Sequence, residues 1–538
     1  MQNKRFVASL LAASTFLAVP GSLFAGEPDK TAQIIDEGLA RSEAQILAHE
    51  LLDQIGPRLT NSTNMRKAEA WAVEKMQKLG LKNVHKEGFD FGRGWDLISS
   101  EVRMVAPRPI ELTAIPVAWT PPTNGPVEAE IIVAPISKKE HFDAYRGQLN
   151  GKIVLLTIPG MGDEPTTPAF KRLDQSDISK NDEIDLPSFD PGAIERWRKR
   201  SEFAQELDDF LASEGAVAWV KKARRDGKLL HGEGSGYEVG KTPKLPGIEM
   251  AAEDYRRLAR LAKTGPAPKL TINSNVRFVD GDTQGYNIIG EIPGSDPKAG
   301  YVMAGAHFDN WLAGDGAVDN GAGSITILEA ARILQETGVK PKRTIKFVLW
   351  SGEEQGLHGS LGYVRRHLVA REGEEALTPG NVYREWRYLF PVTAKPGYSE
   401  MKAYFNMDNG SGKLRGIYAE GNVGAERLLR SWLAPFGDLG ASSVVAGETG
   451  GTDHVFFNAI GLPAFQFIQD PLDYGARLHH TNIDTFDHLR PDDLRQAATV
   501  MAGVLMAAAN DKEELPRKPL PEPQSASDPF KYDYPETD

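Results

Sequence analysis

Seven positions in the C-terminal half of the sequence have the types needed to hold and use metal ions: His307, Asp309, Asp319, Glu353, Glu354, Asp408 and a histidine of the pair His479-His480. They are scattered, but their settings repeat. The apolar run 301–306 ends in His307-Phe308-Asp309, the run 344–350 ends in Ser351-Gly352-Glu353-Glu354, and the run 403–407 ends in Asp408. Asp319 lies in a glycine-rich loop, 314–323, that leads into a helix, and His479-His480-Thr481-Asn482-Ile483-Asp484 follows later. Taken singly, each has an ordinary explanation. His-x-Asp and Glu-Glu are common on solvated surfaces, Asp408 could cap a helix, and Asp319 could hold a turn with Asn320. Asp453, after Gly450-Gly451-Thr452, reads as a helix start. Unrelated loops do not explain why three separate apolar runs end in ligand-type residues, so the set points to a metal site.

The residue types define the chemistry. Two divalent ions about 3.5–4 Å apart need a bridging carboxylate and a few nitrogen or oxygen ligands each. Imidazole with carboxylate suits zinc. Five ligands leave positions open for water and a substrate carbonyl, and a glutamate beside a ligand glutamate can act as general base. Asp309, two residues after His307, can accept the ring N–H and orient the imidazole.

An element pattern must bring these residues together. Apolar runs at 286–292, 301–307, 344–350, 403–408 and 464–468 show little alternation, and helical stretches at 324–334, 425–433 and 453–459 lie among them. Strands buried on both faces and separated by helices predict an α/β layered sheet, with ligands beyond the carboxyl ends of its strands. Upstream, 31–55 and 63–79 have helical periodicity, the second closed by Gly80. The Pro- and Gly-rich stretch 121–126 marks a boundary. After it come short apolar runs at 129–134, 152–158 and 215–220, a polar loop-rich stretch at 160–191, and a helix near 254–262, so 122–275 reads as a separate module with strands and few helices.

Composition sets the outer limits. The chain has 538 residues, more than one ordinary core accommodates, with 41% hydrophobic and 25% charged residues. Its net charge of −12 makes it a poor non-specific nucleic-acid binder. It has no cysteine, which excludes disulfides, thiolate metal sites and a cysteine nucleophile, leaving only His, carboxylate or carbonyl ligands. Lys4 and Arg5 precede an apolar run at 6–19 and a cleavage-type stretch ending at Ala25. The run is shorter than the ~20 residues needed to span a bilayer. It therefore predicts export to the periplasm or beyond, with no membrane attachment after cleavage. The Pro-rich end reads as an extended tail. The expected units are 1–25 (signal), 26–121 and 276–512 (one discontinuous domain), 122–275 (insert) and 513–538 (tail).

The ordered set Ala306-His307-Phe308-Asp309, 314–323, Trp350-Ser351-Gly352-Glu353-Glu354-Gln355-Gly356, Asn406-Met407-Asp408, Gly450-Gly451-Thr452-Asp453-His454 with Gly461-Leu462-Pro463-Ala464, and 480–485 resembles the secreted di-zinc exopeptidases of the bacterial leucyl aminopeptidase and plasma glutamate carboxypeptidase (carboxypeptidase Q) type. The similarity is close over about 285–505 and loose over 30–110, and the insert resembles a protease-associated domain. The resemblance implies a mixed, mostly parallel central sheet with helices on both faces. It implies two zinc ions: Asp319 bridging, His307 and Asp408 completing one site, Glu354 and His480 the other. Glu353 is then the general base and Asp309 orients the first site. His480 is preferred to His479 because Thr481 and Asp484 follow it as the family pattern has them. The substrate is a peptide or dipeptide, with aminopeptidase action expected ahead of dipeptidase, carboxypeptidase or amidohydrolase action on conjugated amino acids. A transferrin-receptor-like binding protein would have lost the ligands, and a glutaminyl cyclase of this fold uses one zinc. The complete ligand set argues against both. No substrate-binding residue is identified, and no residue of the insert demands either a cleft wall or a homodimer interface.

Overall fold

The computed structural model describes residues 29–163, 165–166, 168–184, 190 and 192–523. The expected signal sequence and the last part of the Pro-rich tail, 524–538, lie outside them. Among the described residues, no helix is long and apolar enough to cross a membrane.

The apolar runs form the centre of an eight-stranded mixed sheet. Its order is Lys82–Asp90, Gln284–Ile292, Thr344–Trp350, Tyr301–His307, Met401–Asn406, Ala464–Gln469, Leu414–Tyr418 and Ser443–Val445. The four strands from Thr344–Trp350 to Ala464–Gln469 run parallel, while Gln284–Ile292 pairs antiparallel with both of its neighbours. These four read as unbroken apolar runs because both faces are covered. Alternate residues serve different cores. Val302, Ala304, Ile345, Phe347, Ala403, Phe405 and Phe465 face the core that holds helices Lys30–Ala40, Ala322–Glu336 and Pro491–Asn510. Met303, Val348, Trp350 and Tyr404 face the core with Leu361, Trp386 and Phe457. Each fully buried large side chain contributes on the order of 1.5–3 kcal/mol.

The helix expected at 31–55 is two pieces, Lys30–Ala40 and a segment from Ala44 that continues through His49–Ile55. The break falls where Ser42 Oγ accepts the Ala44 N–H (3.3 Å) and Glu329 accepts the Glu43 N–H (3.1 Å). Helix Thr63–Lys78 is capped by Ser62, whose hydroxyl accepts the Met65 N–H at 3.1 Å. The short strands Leu414–Tyr418 and Ser443–Val445 had no distinct sequence pattern.

A second eight-stranded sheet has the order Ile110–Glu111, Gly94–Ala106, Lys269–Val279, Val127–Val133, Ile153–Leu155, Ala218–Lys222, Gly247–Met250 and Ala114–Pro116. It extends beyond the expected 122–275 module. Gly94–Ala106 belongs to it because that strand pairs with Lys269–Val279 along nearly its whole length. The helix expected near 254–262 is Ala252–Thr264, and a longer one, Ala193–Ser213, precedes the strand Ala218–Lys222. The 171–182 segment of this unit lies against the first sheet. Lys171 and Leu472 exchange backbone hydrogen bonds (2.8 and 2.9 Å), Arg172 pairs with Asp470 and Asp493 (2.9 Å each), and Ile178 packs on Val445 and Ile468.

Candidate metal centre

His307, Asp309, Asp319, Glu353, Asp408 and Asp453 are buried at the carboxyl ends of the central strands or in the loops that leave them. His307 ends its strand. Its Nδ1 lies 3.0 Å from the backbone carbonyl of Asp309, which can only accept, so Nδ1 carries a proton and Nε2 is the nitrogen left for an ion. That nitrogen faces Asp319 Oδ1 at 3.3 Å and Asp408 Oδ1 at 3.5 Å. The expected role of the Asp309 carboxylate needs correction. It lies 3.9 Å from Nδ1, and instead accepts the backbone N–H groups of Glu353 (3.2 Å) and Glu354 (3.3 Å) and meets the Thr60 hydroxyl (3.0 Å). Asp309 thus orients His307 through its main chain and the Glu353–Glu354 turn through its side chain.

Asp319 is fixed by its loop. Asp484 accepts the N–H groups of Val318 (2.8 Å) and Asp319 (3.0 Å), and Asn320 donates to the Met407 carbonyl at 2.8 Å. The following helix starts so close to the Asp408 strand that a Cβ on Gly323 would stand 2.5 Å from the Met407 carbonyl oxygen. Only glycine allows that approach. Arg58, fully buried, donates to the carbonyls of Phe308 (2.8 Å), Asp315 (2.8 Å) and Gly316 (3.0 Å) and so ties the His307 strand end to the loop.

The second group forms across the same Asp319. His480 Nε2 lies 3.4 Å from Asp319 Oδ2 and 2.9 Å from Glu354 Oε2, and its Nδ1 lies 2.7 Å from Glu233 Oε1. His479 stacks on His480 with ring centroids 3.7 Å apart, but its Nε2 stands 3.9 Å from Asp319 and does not meet Glu354. All seven residues singled out in the sequence therefore converge. Sequence reasoning missed Glu233, Thr60, Arg58, the hold of Asp484 on the Asp319 loop, and the burial of Asp453. Only Asp484 had a signal, its fixed distance from His480.

The electrostatics describe a site short of positive charge. Burial pushes the Glu353 carboxyl well up; His307 opposes this, while Asp408, Glu354 and Asp453 add to it. Burial likewise takes Glu354 to about 7 and Asp453 to about 7. Burial would lower His307 and His480, but the surrounding carboxylates outweigh it and hold both well above the ordinary imidazole value. His479, held down by burial and by His480, falls to about 4. Buried carboxylates of this number are stable only when cations or protons neutralise them.

The donor set fits zinc. Two ligands about 2.05 Å from one tetrahedral ion stand about 3.3 Å apart, and the separations from His307 to Asp319 and Asp408 and from His480 to Asp319 are 3.3, 3.5 and 3.4 Å. The buried Glu354 Oε1 has no hydrogen-bond partner among the described residues. Two groups with metal-holding spacing share Asp319: His307, Asp319 and Asp408, and Asp319, His479 and His480. The site forms the floor of a cavity of about 1100 Å³, whose walls include Trp197, Asp208 and Tyr237 of the second unit.

Residues 287–505 match peptidase family M28. Mouse carboxypeptidase Q is 26% identical over 473 residues, covering 87% of this chain and 86% of its own length. The fold matches that of a peptidase M28 precursor from Shewanella amazonensis (24% identity, 91% and 98% of the two chains, TM-score 0.64). It also matches that of a zinc aminopeptidase from Bacillus subtilis (20% identity, 87% and 95%, TM-score 0.55). The mixed α/β fold and these relatives define a metallopeptidase, a hydrolase for which zinc is the implied metal. The M28 match spans 287–505 and so includes His307, Asp319, Glu353, Glu354, Asp408 and His480.

Proposed function

We propose that this is a two-zinc aminopeptidase, exported from the cytoplasm, that removes single residues from the amino end of peptides. His307 and Asp408 would hold one ion and Glu354 and His480 the other, with Asp319 common to both groups. Bound zinc would supply Lewis-acid polarisation of the scissile carbonyl and a water acidified towards neutral pH. Glu353 takes the proton of the attacking water and delivers it to the leaving nitrogen as the C–N bond breaks. A carboxyl whose proton affinity is raised by its surroundings suits that two-way transfer. Asp309 keeps Glu353 in place by accepting its backbone N–H at 3.2 Å. The second-sheet unit, a module of the protease-associated kind in this reading, walls the cavity so that a chain end enters and a chain middle does not.

The observation that carries the amino-end reading is the state of the charges in the cavity wall. Lys221 is taken by Glu249 (3.2 Å) and the Glu233 carbonyl (3.0 Å), and Lys241 by Glu238 (2.9 Å). Glu202 and Asp208 line the wall with no cationic partner among the described residues, ready for an α-ammonium group. The test is a panel of N-acetylated and C-amidated peptides, with chelation and zinc add-back. Acetylation should abolish turnover and amidation leave it. Activity that survives complete metal removal would reject the zinc reading.

One observation favours the opposite end. Arg384, exposed and stacked over Tyr383 (4.8 Å), lines the cavity without an ion pair among the described residues and could take an α-carboxylate. The similarity to carboxypeptidase Q adds weight to it. In that case amidation, not acetylation, abolishes turnover, and Arg384→Ala raises KM for free-carboxylate substrates.

A further inference from the structure

The two histidines of the centre are oriented by different parts of the molecule. His307 gives its ring N–H to its own main chain two residues on. His480 has no such partner nearby. Its Nδ1 meets Glu233 Oε1 at 2.7 Å, and Glu233 is 247 residues away, on a loop of the second-sheet unit that follows strand Ala218–Lys222. Glu233 is itself held firmly. Its second oxygen accepts from Arg224 at 2.9 Å, and its carbonyl accepts from Lys221 at 3.0 Å. The backbone is pinned on both sides: Ala118 donates to the Gly232 carbonyl at 2.8 Å, and a Cβ on Gly234 would stand 2.1 Å from the Ala118 oxygen. The same loop is tied to the loop carrying His480. Leu230 and Asn482 exchange two hydrogen bonds (2.8 and 3.0 Å), and Arg225 donates to the His479 carbonyl at 3.3 Å.

We infer that Glu233 is a positioning residue for the second metal half-site, so that the second-sheet unit completes the metal centre rather than only walling the cavity. A carboxylate on the far nitrogen of a ligand imidazole fixes the tautomer, sets the ring angle and makes the near nitrogen a stronger donor. Here that carboxylate comes from a different sheet, so the hold on His480, and through it on the ion, depends on how the two units are docked. The inference rests on the reading of His480 as a ligand.

The test uses the full chain and titrates zinc, and separately cobalt(II), into the metal-free protein. The measurements are two binding constants and the visible absorption spectrum of each cobalt equivalent. Glu233→Ala should weaken the second ion by about 10–100-fold, the usual loss for an outer partner of a ligand histidine. It should also shift the spectrum of that equivalent and leave the first unchanged. Glu233→Gln keeps an acceptor oxygen without the charge and should lose less. Glu206→Ala breaks an ion pair of the same unit, with Lys139, and should change neither constant. Wild-type affinity and spectrum in Glu233→Ala, with the second ion lost in His480→Ala, would overturn the inference and leave the ligand reading standing. Retention of both ions in His480→Ala would overturn that reading and the inference with it. Equal loss of both ions in Glu233→Ala would mark a general structural defect and also overturn the inference.

Discussion

His307 and His480 face the same aspartate from opposite sides, yet their surroundings have little in common. His307 is 1% exposed, ends a central strand, and is flanked by strand ends whose register is set by parallel pairing along seven residues with Thr344–Trp350. His480 is 19% exposed, sits on a loop with left-handed backbone (φ +62°), and relies on residues brought from another sheet. The first half rests mainly on the sheet, with Arg58 and Asp484 tying in the loop of Asp319. The second needs three loops and two units in place together. The lesson is that a site can have one half insensitive to anything short of unfolding and another open to adjustment through remote contacts.

Breaking the element common to both halves gives the largest effect. Asp319→Ala should release both ions and reduce turnover to background, measured by metal analysis of the dialysed protein alongside kinetics. Glu353→Gln should leave both halves intact and remove only the proposed proton carrier. It should keep two ions and lower kcat by about 10²–10⁴-fold, and unchanged kcat would reject Glu353 as the base. His307→Ala and His480→Ala separate the halves. His480→Ala should keep the ion of the His307 half at near wild-type affinity, whereas His307→Ala should lose it, as calorimetric titration would report.

Protons compete at both halves. The folded-state affinity of His307 and His480 for protons is raised, so each binds a proton at pH values where a free imidazole would not, and an ion must displace it. Zinc affinity should therefore rise with pH through neutrality, with about one proton released per ion. Titration in buffers of different ionisation enthalpy reads this directly, and a pH-independent constant would contradict it. The smallest effect tests the far docking contact of the second unit. Arg172→Ala leaves Asp470 with Arg415 (2.8 Å) but strips the buried Asp493 of its partner. The cost should be about 1–3 kcal/mol in denaturant melts, with both metal constants unchanged.

The first half was also the part most legible in the sequence. Long apolar runs mark buried parallel strands, and the residue just past each run occupies the place where such sheets put ligands. His307 and Asp408 of that half follow directly, as does Glu354 of the other. Asp309 was located but assigned to the wrong partner, because spacing of two residues cannot distinguish a main-chain oxygen from a side-chain oxygen as acceptor. The second half was readable only as far as its motif. Glu233 had no local signature, since its partner lies far along the chain and only tertiary docking brings them together. The pairing of Gly94–Ala106 with Lys269–Val279 was unreadable for a related reason. Gly94–Ala106 pairs with a strand on the far side of the insert, and no turn residue announces such a partner.

The order of the residues along the chain has its own consequence. The supports begin at Arg58 and Thr60 and the proposed ligands run to His480, with Asp484 still needed to hold the Asp319 loop. A nascent chain that has not yet emerged past these last positions has an incomplete half-site, however well its earlier segments have folded. In the proposed reading hydrolysis then waits on the segment 480–484, and a fragment that ends before it lacks His480.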